Sequence, residues 1–409
     1  MKSDVIVIGG GAAGMMAAGT AARRGRSVLL LERNSRLGRK LLITGKGRCN
    51  VTNDCGEEEF LRNIPANPKF LYGAIHRFTP QDTKDFFGKL GVSLKTERGS
   101  RVFPVSDQAK EIADALERFC REAGVEIATA RAQRLWVEDG VLKGVVAEDG
   151  TRYEAESVIV ASGGKSYPLT GSTGDGYLLA ESAGHTVVPL RPSLVPLVSQ
   201  DPACGDMQGL SLKNVTLRLI DRKKKKTVYE ELGEMLFTHF GMSGPLILSA
   251  SSHIPAMEEG RWMVSIDLKP GLTEQQLDSR LLRDFGEFSN RDFANGLEKL
   301  LPRKMIPIIV ERSGIPPMEK MNQITREQRM SLCRLLKGLE IPVDGFRPID
   351  EAIITSGGVS TREIVPSTME SKLLPGLYFA GEVIDVDGYT GGFNLQIAFS
   401  TGYAAGQNA

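Results

Sequence analysis

The 409-residue sequence is poor in the features that mark secreted, membrane-spanning or strongly charged proteins. Its five cysteines, Cys49, Cys55, Cys120, Cys204 and Cys333, are odd in number and scattered. A disulfide framework needs paired cysteines in a short secreted chain, so this pattern points to a reducing compartment. There is no C-x-x-C and no His/Cys cluster with ligand spacing, so no metal site is expected. Fifty-one Lys and Arg face fifty Asp and Glu, for a net charge of +1. No global field therefore argues for nucleic acid or acidic lipid. No stretch approaches the roughly 18 apolar residues of a membrane span. The apolar run near the N-terminus is preceded by Asp4 and broken by glycines, unlike a signal peptide. These absences lead to the expectation of a cytoplasmic protein of two or three domains, with no membrane partner.

What is present begins at once. Asp4 to Gly9 reads as a short buried strand, and Gly9, Gly11 and Gly14 complete G-x-G-x-x-G. Ala12 to Arg24 is a small-residue helix ended by Gly25, and Val28 to Leu31 is a second strand with Glu32 at its end. The three glycines serve different ends. Gly9 permits the tight turn, Gly11 the close approach of a pyrophosphate, and Gly14 the close packing of helix on strand. The helix N-terminus offers unpaired N–H groups to the phosphates, and an acid at Glu32 suits a ribose. This is a dinucleotide-binding βαβ unit, and by itself it does not choose among NAD, NADP and FAD.

The segment Asn34 to Asn53 carries five basic residues (Arg36, Arg39, Lys40, Lys46 and Arg48) and three glycines. Its place after the acid suggests a loop folded back over the cofactor, giving backbone donors and positive charge. Asn67 to Leu90 reads as helical, restarted at Thr79-Pro80. Strands are expected around the Gly99-Ser100 turn. A helix is expected over 107–123 with Ser106 as its cap. Strands 134–137, 141–147 and 151–154, joined by Asp-Gly turns, form a meander, followed by a separate buried strand over 157–164. A parallel sheet beside a meander suits FAD-binding domains better than simple NAD domains.

From Arg191 the texture changes. Val215 to Ile220 alternates like a strand, and Arg222 to Lys226 reads as a charged hairpin tip, with nucleic acid as the less favoured use. Thr238 to Pro245 is a second Gly-rich turn, in which His239 is one of four histidines. Thr273 to Lys337 is helical, opened by the capping boxes Thr273/Gln276 and Thr325/Gln328, with Cys333 in its core stripe. The end returns to the texture of the start: a strand at Leu377 to Ala380, Gly381-Glu382, a loop to Gly392, and a buried helix over 393–405.

Taken together, GGGAAG, TGKGRCNVTN, THFGMSGP, TSGGVS and GLYFAGEVIDVDGYTGGFNLQIAFSTG resemble the aminoacetone-oxidase-like FAD-binding flavoproteins, a family that includes a bacterial 3-dehydro-bile-acid reductase. The resemblance spans essentially the whole chain. It implies an α/β fold: a glutathione-reductase-like FAD-binding Rossmann domain built from 1–190 and 346–409, a β-barrel-like insertion at 191–270 and a helical one at 271–345. It implies that Gly9, Gly11, Ala12, Ala13, Gly14, Glu32, Arg33, Arg39, Lys40, Leu41 and the Ala132 backbone hold the ADP half. Gly45, Arg48 and Asn50 would lie near the flavin, Gly381 and Glu382 near the ribityl or pyrophosphate portion, and Gly392, Asn394 and Leu395 against the ring.

Cys49 and Cys55 have five residues between them, against the four of the redox pair in disulfide reductases of related fold, which argues against such a pair. No second G-x-G-x-x-G opens a βαβ unit, so any NAD(P)H would visit transiently. The function implied is hydride transfer between FAD and a small organic substrate bound between the domains. The substrate is an activated C=C bond in a steroid-like acid, or an amine oxidised with oxygen, or, in a different class, RNA. His239, Tyr389 and Tyr167 are the candidates for proton handling. The sequence leaves the oligomeric state open.

Overall fold

The computed structural model of the chain describes residues 2–409. The described residues divide into two compact units, one of residues 2–193 and 348–409, the other of residues 194–347.

The first unit is built on a seven-stranded sheet. Its strands from the first half of the chain are β1 (Lys2–Ile8), β2 (Val28–Glu32), β3 (Glu126–Thr129), β4 (Ala132–Glu138), β5 (Val141–Ala147) and β6 (Arg152–Val160), in the spatial order β3-β2-β1-β6-β5-β4. The strand Leu377–Phe379 joins β6 in parallel. The sequence suggests two strands at 151–154 and 157–164, but the structure has one. Residues 152–154 of β6 pair antiparallel with β5, whereas residues 158–160 run parallel to β1 and to Leu377–Phe379. One continuous strand thus fuses the meander to the parallel sheet. β1 and β2 are buried along most of their length, as parallel strands covered on both faces must be.

The helix expected over 107–123 begins later, at Ala109, with Gln108 at its N-cap. Asp107 has φ +55°, outside helical geometry, and the Ser106 hydroxyl accepts from the Gln108 N–H as a turn rather than as a helix cap. Thr79 caps the helix that starts at Pro80, as expected, and forms a capping box with Asp82.

Two helices decide how this unit closes. The first helix (Ala12–Arg23) and the last (Phe393–Asn408) cross with almost no side chain between them. A Cβ on Gly402 would lie 2.4 Å from the Ala13 carbonyl oxygen, and one on Gly406 would lie 2.4 Å from that of Ala17. The last helix also buries Gln396, fully satisfied. Its Oε1 accepts from Thr52 Oγ1 (2.6 Å) and Thr83 Oγ1 (2.8 Å), and its Nε2 donates to the Phe78 carbonyl (3.0 Å). Such a network rigidifies because every member has a partner.

The second unit is a seven-stranded antiparallel sheet with helices packed on it. Its strands are β7 (Leu197–Val198), β8 (Ser211–Asp221), β9 (Lys226–Thr238), β10 (Gly241–Ser243), β11 (Trp262–Asp267), β12 (Leu339–Val343) and β13 (Gly345–Phe346). Val215, Leu217 and Leu219 point into its core, and the Arg222–Lys226 run is the exposed tip between β8 and β9, with Lys223 paired to Glu258. The helices 274–287 and 326–337 open with the two expected capping boxes. Strands and helices share one core, in which Phe237 and Trp262 pack with Leu281, Phe293, Ile309, Leu332 and Cys333. The segments 191–270 and 271–345 therefore bury their apolar faces together. Among the described residues no helix is long and apolar enough to cross a membrane.

A paired substitution checks the helix crossing. In an open helix position Gly→Ala gains up to about 1 kcal/mol, and Gly88, exposed with nothing near its missing Cβ, is such a position. At Gly402 the clash outweighs that gain. Gly88→Ala is expected to raise the urea midpoint, and Gly402→Ala to lower stability by about 1–3 kcal/mol.

Candidate functional site

The site grows from the C-terminal ends of the parallel strands, where open α/β sheets place their ligands. Gly9 turns the chain out of β1 at φ +103°, and a Cβ there would strike the Ala161 carbonyl oxygen at 2.6 Å. Gly14 is pressed onto the same turn, its missing Cβ 1.8 Å from Gly9 O. Gly11, the N-cap of the first helix, faces open space, with no atom within 4 Å of where a Cβ would stand. That helix has no side-chain cap and no acidic residue in its first turn. Its leading N–H groups are left for an anion.

Glu32, 8% exposed, closes the loop. Its Oε2 accepts from Gly10 N–H (2.8 Å), and its Oε1 accepts from the backbone N–H (2.8 Å) and side-chain Nδ2 (2.7 Å) of Asn34. A carboxylate has about four acceptor sites, so one remains for a ribose hydroxyl. The acid both shapes the glycine loop and keeps a free lone pair.

The basic segment is more ordered than a loop of its composition suggests. Arg39–Ile43 is a short helix, and Gly45, Lys46, Gly47 and Cys49 all have positive φ. Two non-glycine residues in that region mark a backbone held by its surroundings. Arg48 is committed to Glu97 and Asp107 and lies 4.1 Å over the Phe103 ring, so it stiffens the loop rather than offering free charge. Lys40 donates to Glu382 Oε2 (2.6 Å) and Ser166 Oγ (2.7 Å), while Glu382 Oε1 accepts from Thr355 N–H (2.8 Å). Arg33 donates to Thr173 Oγ1 (2.6 Å), and Arg39 to Asn34 Oδ1 (2.8 Å). Leu41 is a buried core side chain, and Ala132 starts β4, three residues beyond Thr129, the partner of Glu32.

The other end of the chain supplies a second helix N-terminus. Gly381 has φ +75°, and its missing Cβ lies 2.8 Å from Ala13 Cβ. Gly392, the N-cap of the last helix, has φ +99° and seats its Cα on the Thr52 backbone, 2.3 Å from a would-be Cβ. Asn394 pins the preceding loop, accepting from Gly388 N–H (2.8 Å) and donating to Gly388 O (2.7 Å). Leu395 is partly buried against the core. In the same loop Asp387 is buried between the hydroxyls of Ser193 (2.9 Å) and Ser356 (3.1 Å), and burial pushes its carboxyl above the usual range.

FAD can be tested against this cradle by its polar atoms. Asn50 Oδ1 and Ser162 Oγ are buried without a partner among the described residues. Asn50 adjoins a glycine of the cradle, its N 2.9 Å from the missing Cβ of Gly45, whereas Ser162 Oγ faces Gly176, 2.2 Å from the missing Cβ there. An unpaired polar atom, two uncapped helix starts and a buried acid with one open acceptor fit a pyrophosphate, a ribose and a polar ring edge.

Of the candidates for proton handling, Tyr167 has Lys40 Nζ 6.0 Å over its ring, and the Tyr389 carbonyl accepts from Asn394 Nδ2 (3.3 Å). Tyr389 and Tyr167 belong to the first unit and His239 to the second. Tyr167 has φ +51°, and burial raises its phenol. Cys49 is fully buried and its thiol is pushed up to about 12 by burial. Cys55 is pushed up to about 11 for the same reason, and both are free thiols, so no reactive thiolate pair exists here. No three-residue metal-ligand cluster is found among the described residues.

One arrangement was not legible in the sequence. Ser371 Oγ lies 2.7 Å from His185 Nε2, and Glu363 Oε2 lies 3.2 Å from His185 Nδ1. The order matches a hydrolytic triad, but Ser371 is 5% exposed and its oxygen accepts from Leu373 and Leu374 N–H. A hydroxyl so held is a turn anchor, not a nucleophile.

Three outcomes are expected. Glu32→Gln replaces one acceptor oxygen by an NH2 group facing N–H donors, and should release FAD on gel filtration while circular dichroism stays native. A Cys49→Ser/Cys55→Ser double variant should keep its flavin content and its rate of flavin bleaching. Burial, opposed by Glu363, holds the His185 imidazole below its usual value near 6.5. The unfolded chain then binds the extra proton first, so stability falls as pH drops below about 6.5. The loss of Tm between pH 7.5 and 5.5 should be smaller in His185→Gln.

The comparisons agree with the geometry. A family model described as the HI0933-like protein Rossmann domain matches residues 3–408. The chain is 35% identical over 409 aligned residues to the 3-dehydro-bile acid delta(4,6)-reductase of Clostridium scindens, with 98% of each chain covered. It is 33% identical over 407 residues to an Escherichia coli protein named ribosomal RNA dihydrouridine synthase, with 100% of this chain and 98% of that one covered. The 3-ketosteroid delta1-dehydrogenase of Sterolibacterium denitrificans superposes with a TM-score of 0.50 at 14% identity, over 99% of this chain and 98% of that one, which speaks to the fold alone. A match over nearly every residue, on a cradle suited to a flavin dinucleotide, makes this chain a member of the HI0933-like family of FAD-binding Rossmann proteins and an FAD-dependent oxidoreductase.

Proposed function

We propose that this oxidoreductase takes hydride from NADH or NADPH and reduces a carbon–carbon double bond conjugated to a carbonyl in a small steroid-like acid. The observation that carries this reading is the 35% identical, full-length relative whose name is that of a bile-acid double-bond reductase. Any nicotinamide would visit the flavin transiently.

Bound FAD supplies the ring that accepts and returns the hydride. The chain's own residues hold and orient it. The first helix and Gly11 would receive the pyrophosphate, and Glu32 the ribose. The Gly45–Asn50 loop and the N-terminus of the last helix at Gly392 would set the ring's position. Lys40 and Glu382 lock the strand-end loops together, which keeps the cradle preorganised. Asp387, a buried carboxyl held by two hydroxyls, fixes the loop before Gly392.

The purified protein should be yellow. Mixed anaerobically with NADH or NADPH, it should bleach, and a conjugated 3-oxo steroid acid should restore the colour. A colourless protein that takes up no FAD overturns the reading. Bleaching by aminoacetone, with peroxide on admitting air, replaces it with an amine oxidase. Recolouring by ribosomal RNA, and by no small enone, moves the substrate to RNA.

A further inference from the structure

Between β6 and the helix Asp175–Ser182 the chain makes a long excursion. Its two ends meet: the missing Cβ of Gly176 lies 2.2 Å from Ser162 Oγ. Inside it, the missing Cβ of Gly163 lies 3.1 Å from Ser172 Oγ, and Tyr167, Gly171 and Gly174 all have positive φ. A surface segment with touching ends, folded on itself, is an Ω-loop. Its apolar side chains, Tyr167, Pro168 and Leu169, all stay outside the buried core, and Leu169 is 86% exposed. Little apolar surface holds the loop down, which is the mark of a segment that opens locally.

Polar contacts hold it instead, and they land beside the residues that would serve the ADP half of the cofactor. Ser166 Oγ accepts from Lys40 Nζ (2.7 Å) and donates to Glu382 Oε1 (3.0 Å). Thr170 O accepts from Asn34 Nδ2 (3.2 Å), the same amide that donates to Glu32 Oε1 (2.7 Å). The fit is close there: a Cβ on Gly171 (φ +106°) would lie 2.5 Å from that nitrogen. At the far end Arg33 donates to Thr173 Oγ1 (2.6 Å), and Thr173 Oγ1 donates to Asp175 Oδ1 (3.0 Å). Arg131, next to Ala132, grips the same carboxylate through Nε (2.9 Å) and Nη2 (3.0 Å). All these residues belong to the first unit. β6 lies on one side of β1, and Arg33 and Asn34 follow β2 on the other. The loop therefore crosses the C-terminal end of β1, the crevice in which a dinucleotide sits.

We infer that residues 162–176 form a clasp over the ADP half of FAD, and that Asp175 is its latch, a positioning residue that closes the loop through Thr173, Arg33 and Arg131. The clasp presupposes FAD in the cradle, and no particular substrate. FAD enters and leaves when the loop opens, and opening breaks the polar contacts at Asp175 without exposing a core. The side chains of Arg33 and Asp175 are 32% and 19% exposed, so salt reaches the latch.

The test uses the FAD-loaded enzyme, isotopically labelled FAD as the exchange probe, and amide hydrogen exchange read by mass spectrometry. Asp175→Asn and Thr173→Val are expected to speed FAD exchange by about tenfold or more, and Thr173→Ser to keep the wild-type rate. Wild-type exchange should be faster at about 0.5 M than at about 0.05 M NaCl, and the difference should shrink in Asp175→Asn. Glu154→Gln, which breaks the exposed Lys2–Glu154 pair, should change nothing. In Asp175→Asn the amides of 163–174 should lose protection while those of β1 and β2 keep theirs. Exchange of FAD at the wild-type rate in both Asp175→Asn and Thr173→Val overturns the clasp. Faster exchange with the loop amides still protected also overturns it, because Asp175 then acts without the loop opening. Faster exchange with β1 and β2 exposed as well overturns it too, because Asp175 is then a general stabiliser. These outcomes leave the FAD reading intact, whereas a wild type that takes up no FAD overturns both.

Discussion

The crossing of the first and last helices is the contact on which the cofactor unit depends. Gly402 and Gly406 lie against the carbonyls of Ala13 and Ala17, so two backbones meet where side chains normally stand. This closeness brings two uncapped helix N-termini, at Gly11 and Gly392, into one unit although they are nearly the whole chain apart. It also explains why the last helix is so rich in small residues: a Cβ at either glycine would push the helices apart. Gly381 extends the same contact, its missing Cβ against Ala13. One contact therefore positions both helix N-termini.

Around that contact the charged groups are mostly committed. Arg48, Lys40, Arg33 and Arg39 each donate to a named partner, and Glu32 already accepts three hydrogen bonds. The basic loop is thus a rigid frame rather than a reservoir of free positive charge. What stays unpaired beside it is the helix N–H groups, one lone pair on Glu32 and Asn50 Oδ1. A site preorganised in this way binds its cofactor without rearranging its own charges.

The second unit follows another logic. Its sheet and helices bury one apolar core, and β7 joins the strand after the His239-Phe240 turn to β13. The first unit carries the family's cofactor chemistry.

The sequence by itself determined the βαβ unit, the capped helices and the return of the last thirty residues to the first domain. These depend on local patterns: glycine spacing, capping residues and apolar period. It also placed the basic run at a hairpin tip. What only the tertiary structure decided depends on contacts between distant residues. β6 is one strand because its two halves find different partners, a choice no local period encodes. The helix after Ser106 starts at Ala109 because Asp107 turns left-handed. Gln396 looks like an interruption in an apolar helix, and its meaning lies in Thr52, Thr83 and Phe78. The Ser371–His185–Glu363 alignment, the commitment of Arg48 and the orphaned oxygens were equally invisible, since hydrogen-bond satisfaction is a property of packed neighbours. The opening glycines state that a dinucleotide binds; the packed structure states which atoms remain free to hold it.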